Sequence, residues 1–147
     1  MAMYDRRVSG NTGAGAADAY RANQVMTASP MGLVIMLYDG AISFISKGEE
    51  AARSGDWEKA SGLLRRAQDI VYELMGCLDM EKGGQIAVNL FRLYEYMGYR
   101  LVQAQIKRNA APAAEVREHL SSLRQAWVEA ERKLKASSRR EGKIAAL

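Results

Sequence analysis

Leu33-Val34-Ile35-Met36-Leu37-Tyr38-Asp39-Gly40-Ala41-Ile42-Ser43-Phe44-Ile45 is the stretch that decides the fold class. It opens with six apolar or aromatic residues in a row and continues with Ala41, Ile42, Phe44 and Ile45. Projected at 100° per residue, these fill roughly 240° of a helical wheel and leave a narrow polar wedge of Asp39, Ser43 and Ser46. The wider chain argues against strands. It has two threonines, no alternating apolar runs, and no Asn-Gly or Asp-Gly turn between apolar segments.

Helical punctuation surrounds this stretch. Thr27-Ala28-Ser29-Pro30 marks a start, with Ser29 as N-cap and Pro30 in the first helical position. The helix runs to about Arg53 and stops at Gly55, a residue suited to the left-handed conformation past a helix end. Asp56 caps a helix reaching about Asp79, Gly83-Gly84 breaks the chain, and another helix covers about Gln85 to Arg108. Asn109 and Pro112 punctuate the next turn, and a last helix spans about Pro112 to Lys135. Upstream, residues 18–26 form a short amphipathic segment preceded by a Gly- and Ser-containing stretch. Long helices with short connections pack as antiparallel neighbours. The expectation is an all-α, antiparallel up-down four-helix bundle with a short additional N-terminal helix. Residues 1–17 are expected to be a disordered tail, 18–136 the bundle, and 137–147 a flexible basic tail.

The helices differ in how much apolar surface they carry. The last needs one neighbour only: Val116, Leu120, Leu123, Trp127, Ala130 and Leu134 follow a single 4-3-4-3-4 line. The helix containing Leu33–Ile45 has far more than one stripe. The helix after Gly83-Gly84 has a milder excess, with Ile86, Leu90, Leu93, Tyr94, Met97 and Leu101 on one face and Val88, Phe91, Tyr99, Val102 and Ile106 well round from it. Three readings stay open: a central helix touched on three sides, an exposed groove for a partner helix, or a dimer face. Gly32, Gly40, Gly48, Gly62, Gly76 and Gly98 lie inside predicted helices at about 1 kcal/mol each relative to alanine, which points to close helix approach.

Catalytic chemistry is missing from this pattern. One cysteine and one histidine build neither a zinc site nor a disulfide framework. No Glu-x-x-His pair supports a di-iron site and no glycine loop cradles phosphate, so no cofactor is expected. Cys77, beside Leu74 and Leu78, reads as core, and His119 as a surface residue. A histidine phosphotransfer domain would follow its histidine with a lysine-glycine motif, where this chain has Leu120-Ser121-Ser122. The net charge of +4 belongs to the end of the chain. Residues 132–147 carry six basic groups and one acid, a net +5, leaving −1 over residues 1–131. Nucleic-acid binding therefore finds no fold-wide basic face. No apolar run of membrane-spanning length and no signal-type N-terminus stands out, so a cytoplasmic protein without membrane insertion is expected.

Thr27-Ala28-Ser29-Pro30, Leu33 and Met36-Leu37-Tyr38-Asp39-Gly40-Ala41 resemble the opening signature of the FliS family of flagellin export chaperones. The likeness continues through Ala67-Gln68-Asp69-Ile70-Val71, Glu73-Leu74, Leu78-Asp79, Gly83-Gly84-Gln85-Ile86-Ala87, Asn89-Leu90, Leu93-Tyr94, Tyr96-Met97, Leu101, Ala104 and Trp127. The resemblance implies a non-enzymatic chaperone. Such a protein binds the disordered C-terminal segment of flagellin, prevents premature polymerisation and aids delivery to the export gate of the flagellar secretion apparatus. It implies a role for a tyrosine near the N-terminus, which falls on Tyr20; the apolar residue often found three positions earlier is here Ala17. Met31-Gly32 replaces the polar pair common after Ser-Pro, so the capping-box carboxylate is missing. The groove expected on these grounds uses Tyr20, Val25, Leu33, Leu37, Tyr38, Leu90, Tyr94 and Met97. Leu33, Leu37 and Leu90 also read as core, whereas tyrosines with a polar tip suit a rim. A homodimer of the free protein, or a helical adaptor for another partner, would use the same surface.

Overall fold

The computed structural model describes residues 30–146, with side-chain surroundings through Gly142. They form four helices: α1 (Pro30–Arg53), α2 (Trp57–Gly76), α3 (Met80–Lys107) and α4 (Ala111–Ala146). The described residues divide between two units, 30–33 and 34–146. The first holds only the opening turn of α1, and the packing below concerns the second. The expected helix over 18–26, the tail over 1–17 and the Ser29 cap lie outside the described residues.

Each turn is closed by local hydrogen bonds. Gly55 takes φ 79°, the left-handed geometry expected of it. Asp56 then caps α2, its carboxylate accepting from the Lys59 N–H at 3.1 Å. α2 ends at Gly76, three residues short of expectation, because Asp79 serves the next helix. Its carboxylate accepts from the N–H groups of Glu81 and Lys82 at 3.1 and 3.0 Å. α3 therefore begins ahead of Gly83-Gly84, and the glycine pair kinks the helix where a break was expected. Gly84 sits at φ 53°, ψ −131°, a conformation that side chains other than glycine's rarely take. Arg108, at φ 49°, ends α3, and Asn109 accepts from the Ala111 N–H at 3.0 Å to open α4.

Contacts between helices fix their directions. A methyl group added at Gly40 would meet Ile70 Cδ1 at 3.2 Å, and one at Gly48 would meet Leu64 Cδ2 at 2.9 Å, so α1 and α2 run antiparallel. On its other side α1 pairs Asp39 with Arg124 and Glu49 with Arg117, the latter at 2.6 Å, so α4 is antiparallel to it as well. Gln105 donates to Gln68 at 3.2 Å while Tyr72 lies over Gly98, which sets α3 antiparallel to α2. Close approach explains Gly40, Gly48 and Gly98. Gly62 and Gly76 face open space, and nothing in the structure explains them.

The core holds Tyr38, Ile45, Leu64, Val71, Leu74, Tyr94, Met97, Leu101, Val116 and Leu120, all essentially inaccessible. Val34, Leu37, Ile42 and Phe44, the surplus of α1, are half-buried and packed on that core. Arg66 caps the Phe44 ring at 5.6 Å from its centroid. By length and composition α1 is also apolar enough to cross a membrane, which amends the expectation that no run reaches that length. The central helix of a bundle passes the same test, and Asp39 and Glu49 tie this one to α4 arginines. Cys77, expected in the core, is exposed because it stands at the C-cap of α2 and not inside it. α4 continues to Ala146, well past Lys135. Good helix formers and ion pairs of Arg132 with Glu129 (2.9 Å) and Lys135 with Glu131 (2.8 Å) carry it beyond its apolar stripe.

Candidate partner-binding surface

The residues expected to line a groove do not come together on the surface. Tyr20 and Val25 lie outside the described residues. Leu33 is half-buried in the first turn of α1, and Leu37 and Leu90 are half-buried against the core. Tyr38, Tyr94 and Met97 are 0%, 1% and 0% exposed, so they stand in the core of this structure and not at a rim. A tyrosine suits a rim when water is the partner of its hydroxyl. Here the two hydroxyls hydrogen-bond each other between α1 and α3, so both tips are satisfied in the interior. Burial pushes both phenols above their ordinary range, and the shared bond raises Tyr94 further.

Exposed apolar surface lies instead on the outer side of α3. The buried line of this helix is Ala87, Tyr94, Met97, Leu101 and Ala104, with Leu90 partly buried on the same side. Val88, Phe91, Glu95, Tyr99, Val102 and Ile106 follow a second line at 3-4-4-3-4 spacing, well round from the first and about 27 Å long. Phe91 is 36% exposed, Tyr99 60% and Ile106 76%. Tyr72 of α2, 48% exposed, extends this surface, its ring lying where a side chain at residue 98 would stand. Glycine at 98 is what lets Tyr72 lie across α3.

Hydrogen bonds hold the exposed tyrosines in place. Gln103 donates to the Tyr99 hydroxyl at 2.9 Å and itself accepts from Arg100 at 2.6 Å. Gln68 donates to the Tyr72 hydroxyl at 3.2 Å. On the α4 side, Tyr96 donates to Glu115 at 2.7 Å, Arg100 bonds the same carboxylate at 2.8 Å and His119 approaches it at 3.2 Å. The Tyr96 hydrogen bond, followed by those of Arg100 and His119, holds the Glu115 carboxyl below its usual range. His119 is thus engaged with its neighbour one turn away on α4.

The sequence line Val88, Phe91, Tyr99, Val102, Ile106 was visible as a second face, but without knowledge of which face α2 and α4 take it could not be chosen over the first. Tyr72 carried no separate signal, because its exposure depends on contacts with α3. Among the described residues no group of three or more His, Cys, Asp or Glu side chains is placed to hold a metal ion. A cleft of about 330 Å³ beside the α1–α2 turn is lined mostly by Lys47, Glu50, Ser54, Asp56 and Lys59, far in character from the α3 surface.

These features define a class: an all-helical protein with an ordered apolar face and, among the described residues, no cluster of metal-ligating side chains. The family described as Flagellar protein FliS matches residues 13–134. The flagellar secretion chaperone FliS of Salmonella typhimurium is 41% identical over 104 residues, covering 70% of this chain and 77% of that protein. The Bacillus subtilis protein of the same name is 37% identical over 112 residues, covering 76% and 83%. That of Escherichia coli is 31% identical over 106 residues, covering 71% and 78%. The chain belongs to the FliS family of flagellar secretion chaperones, which are not enzymes.

Proposed function

We propose that this chain binds the disordered C-terminal segment of flagellin in the cytosol, keeps it from premature polymerisation and hands it to the export gate. The observation that carries the reading is the ordered, outward apolar line on α3, long enough for an amphipathic helix of about five turns. A segment that folds on binding must offset its own ordering, and a surface already fixed by Gln68 and Gln103 reduces the cost on the chaperone side. Phe91, Tyr99, Ile106 and Tyr72 take over as contact residues from Tyr38, Tyr94 and Met97. Tyr20 keeps the role that the family resemblance implies, and Val25 keeps its place in the expected groove.

Calorimetry with full-length flagellin and with flagellin lacking its C-terminal segment tests this. Tight binding to the full-length protein alone is expected. Equal binding to both, or to neither, would overturn the reading, and self-association of the free chain in sedimentation equilibrium would assign the α3 face to a dimer.

A further inference from the structure

The end of α4 has no part in the surface just described. Every side chain from Arg132 to Gly142 is exposed, so the helix leaves the packed body as a single rod. The stretch beyond residue 134 also lies outside the family match. At its root, Arg132 and Lys135 are ion-paired with Glu129 and Glu131. Farther out, among the described residues, Lys133, Arg139 and Arg140 have no carboxylate within ion-pair distance. Arg132, Lys135 and Arg139 share one helical face, and the sequence continues the 3-4 spacing with Lys143. Complementing the helix dipole involves only the last turn, so six basic residues over four turns exceed that need.

We infer that this projecting basic helix docks the protein on an anionic phospholipid surface. The chemistry of the rod selects that occupant. Residues 132–142 contain no aromatic side chain to stack on bases and no Asn or Gln to read them. They offer Leu134 as the one large apolar side chain, too little for the anchored centre of a protein interface. What remains is a line of positive charge, which a flat, uniformly charged surface accepts without fixed register. Residues 1–131, at −1 net, add no excess of positive charge with which to wrap a nucleic acid. The inference rests on the secretion reading only for where such a membrane is met.

Co-sedimentation of the full chain with vesicles of phosphatidylglycerol and phosphatidylcholine, in the absence of flagellin, tests it. The chain is expected to partition onto the mixed vesicles, to ignore pure phosphatidylcholine, and to come off as salt shortens the reach of charge. Replacing Lys133, Arg139, Arg140 and Lys143 by Gln is expected to reduce partitioning at least about tenfold, with helix content and flagellin binding unchanged. The charge-conserving pair Lys133→Arg and Lys143→Arg is expected to retain it. Failure of the full chain to bind the mixed vesicles, or unchanged binding by the Gln variant, overturns the proposal. So does tighter binding to a duplex oligonucleotide at the same ionic strength, which would assign the rod to nucleic acid. Because flagellin is absent from this assay, its failure leaves the flagellin reading standing, and the reverse also holds.

Discussion

α1 and α3 carry their apolar excess to opposite ends. α1 is the richer in sequence, yet among the described residues it presents no large hydrophobic side chain counted as exposed. α3 has the milder excess, and Phe91, Tyr99 and Ile106 stand out from it. The difference comes from position. α1 meets α2 through Gly40 and Gly48, α4 through Asp39 and Glu49, and α3 through the Tyr38–Tyr94 bond. The second line of α3 meets only Tyr72 of α2 beside Gly98, which leaves Phe91, Tyr99 and Ile106 exposed. Apolar content alone therefore does not locate a binding face. The number of neighbours decides.

Breaking this contrast on the α1 side should have the largest effect. Ile45→Ala removes a fully buried side chain, and a loss of about 2–5 kcal/mol is expected in a urea titration. A change under about 0.5 kcal/mol would mean that α1 is not central. The Tyr38–Tyr94 pair, which links the two helices, should appear in the pH dependence. Both phenols are raised in the folded state, so the folded protein keeps protons that the unfolded chain loses. Their stabilising contribution is complete below the unfolded tyrosine value of about 10 and declines above it, by about 1.4 kcal/mol per pH unit for each tyrosine. Stability measured from pH 8 to 11 should fall along this course. The double variant Tyr38→Phe and Tyr94→Phe should flatten it.

Glycine substitution gives a smaller and more discriminating comparison. At Gly48 of α1 an added methyl meets Leu64, which is fully buried and has nowhere to go, so Gly48→Ala is expected to cost about 1–2 kcal/mol. At Gly98 of α3 it meets the ring of half-exposed Tyr72, which can swing outward. The helix-propensity gain of about 1 kcal/mol then offsets the contact, leaving Gly98→Ala near neutral in thermal melts.

Much of the fold was legible in the sequence because its punctuation is local. Gly55 and Asp56 do what their residue types dictate. Asp79 and Gly83-Gly84 are harder to place, because a cap four residues before Gly83 lets a helix start before the glycines and absorb them as a kink. The surplus on α1 and α3 was also legible, but its destination depends on which helices neighbour which. That is why Tyr38 and Tyr94 were misplaced: a hydroxyl partner 56 residues away leaves no mark in local spacing.

The central claim is that the outer face of α3, and not α1, receives the partner. Calorimetry of Tyr99→Glu with Ile106→Glu against flagellin tests it most directly, with circular dichroism and a urea titration alongside. The account predicts unchanged helix content, stability within about 0.5 kcal/mol per substitution, and flagellin affinity reduced at least about tenfold. Wild-type affinity in a folded double variant would contradict it.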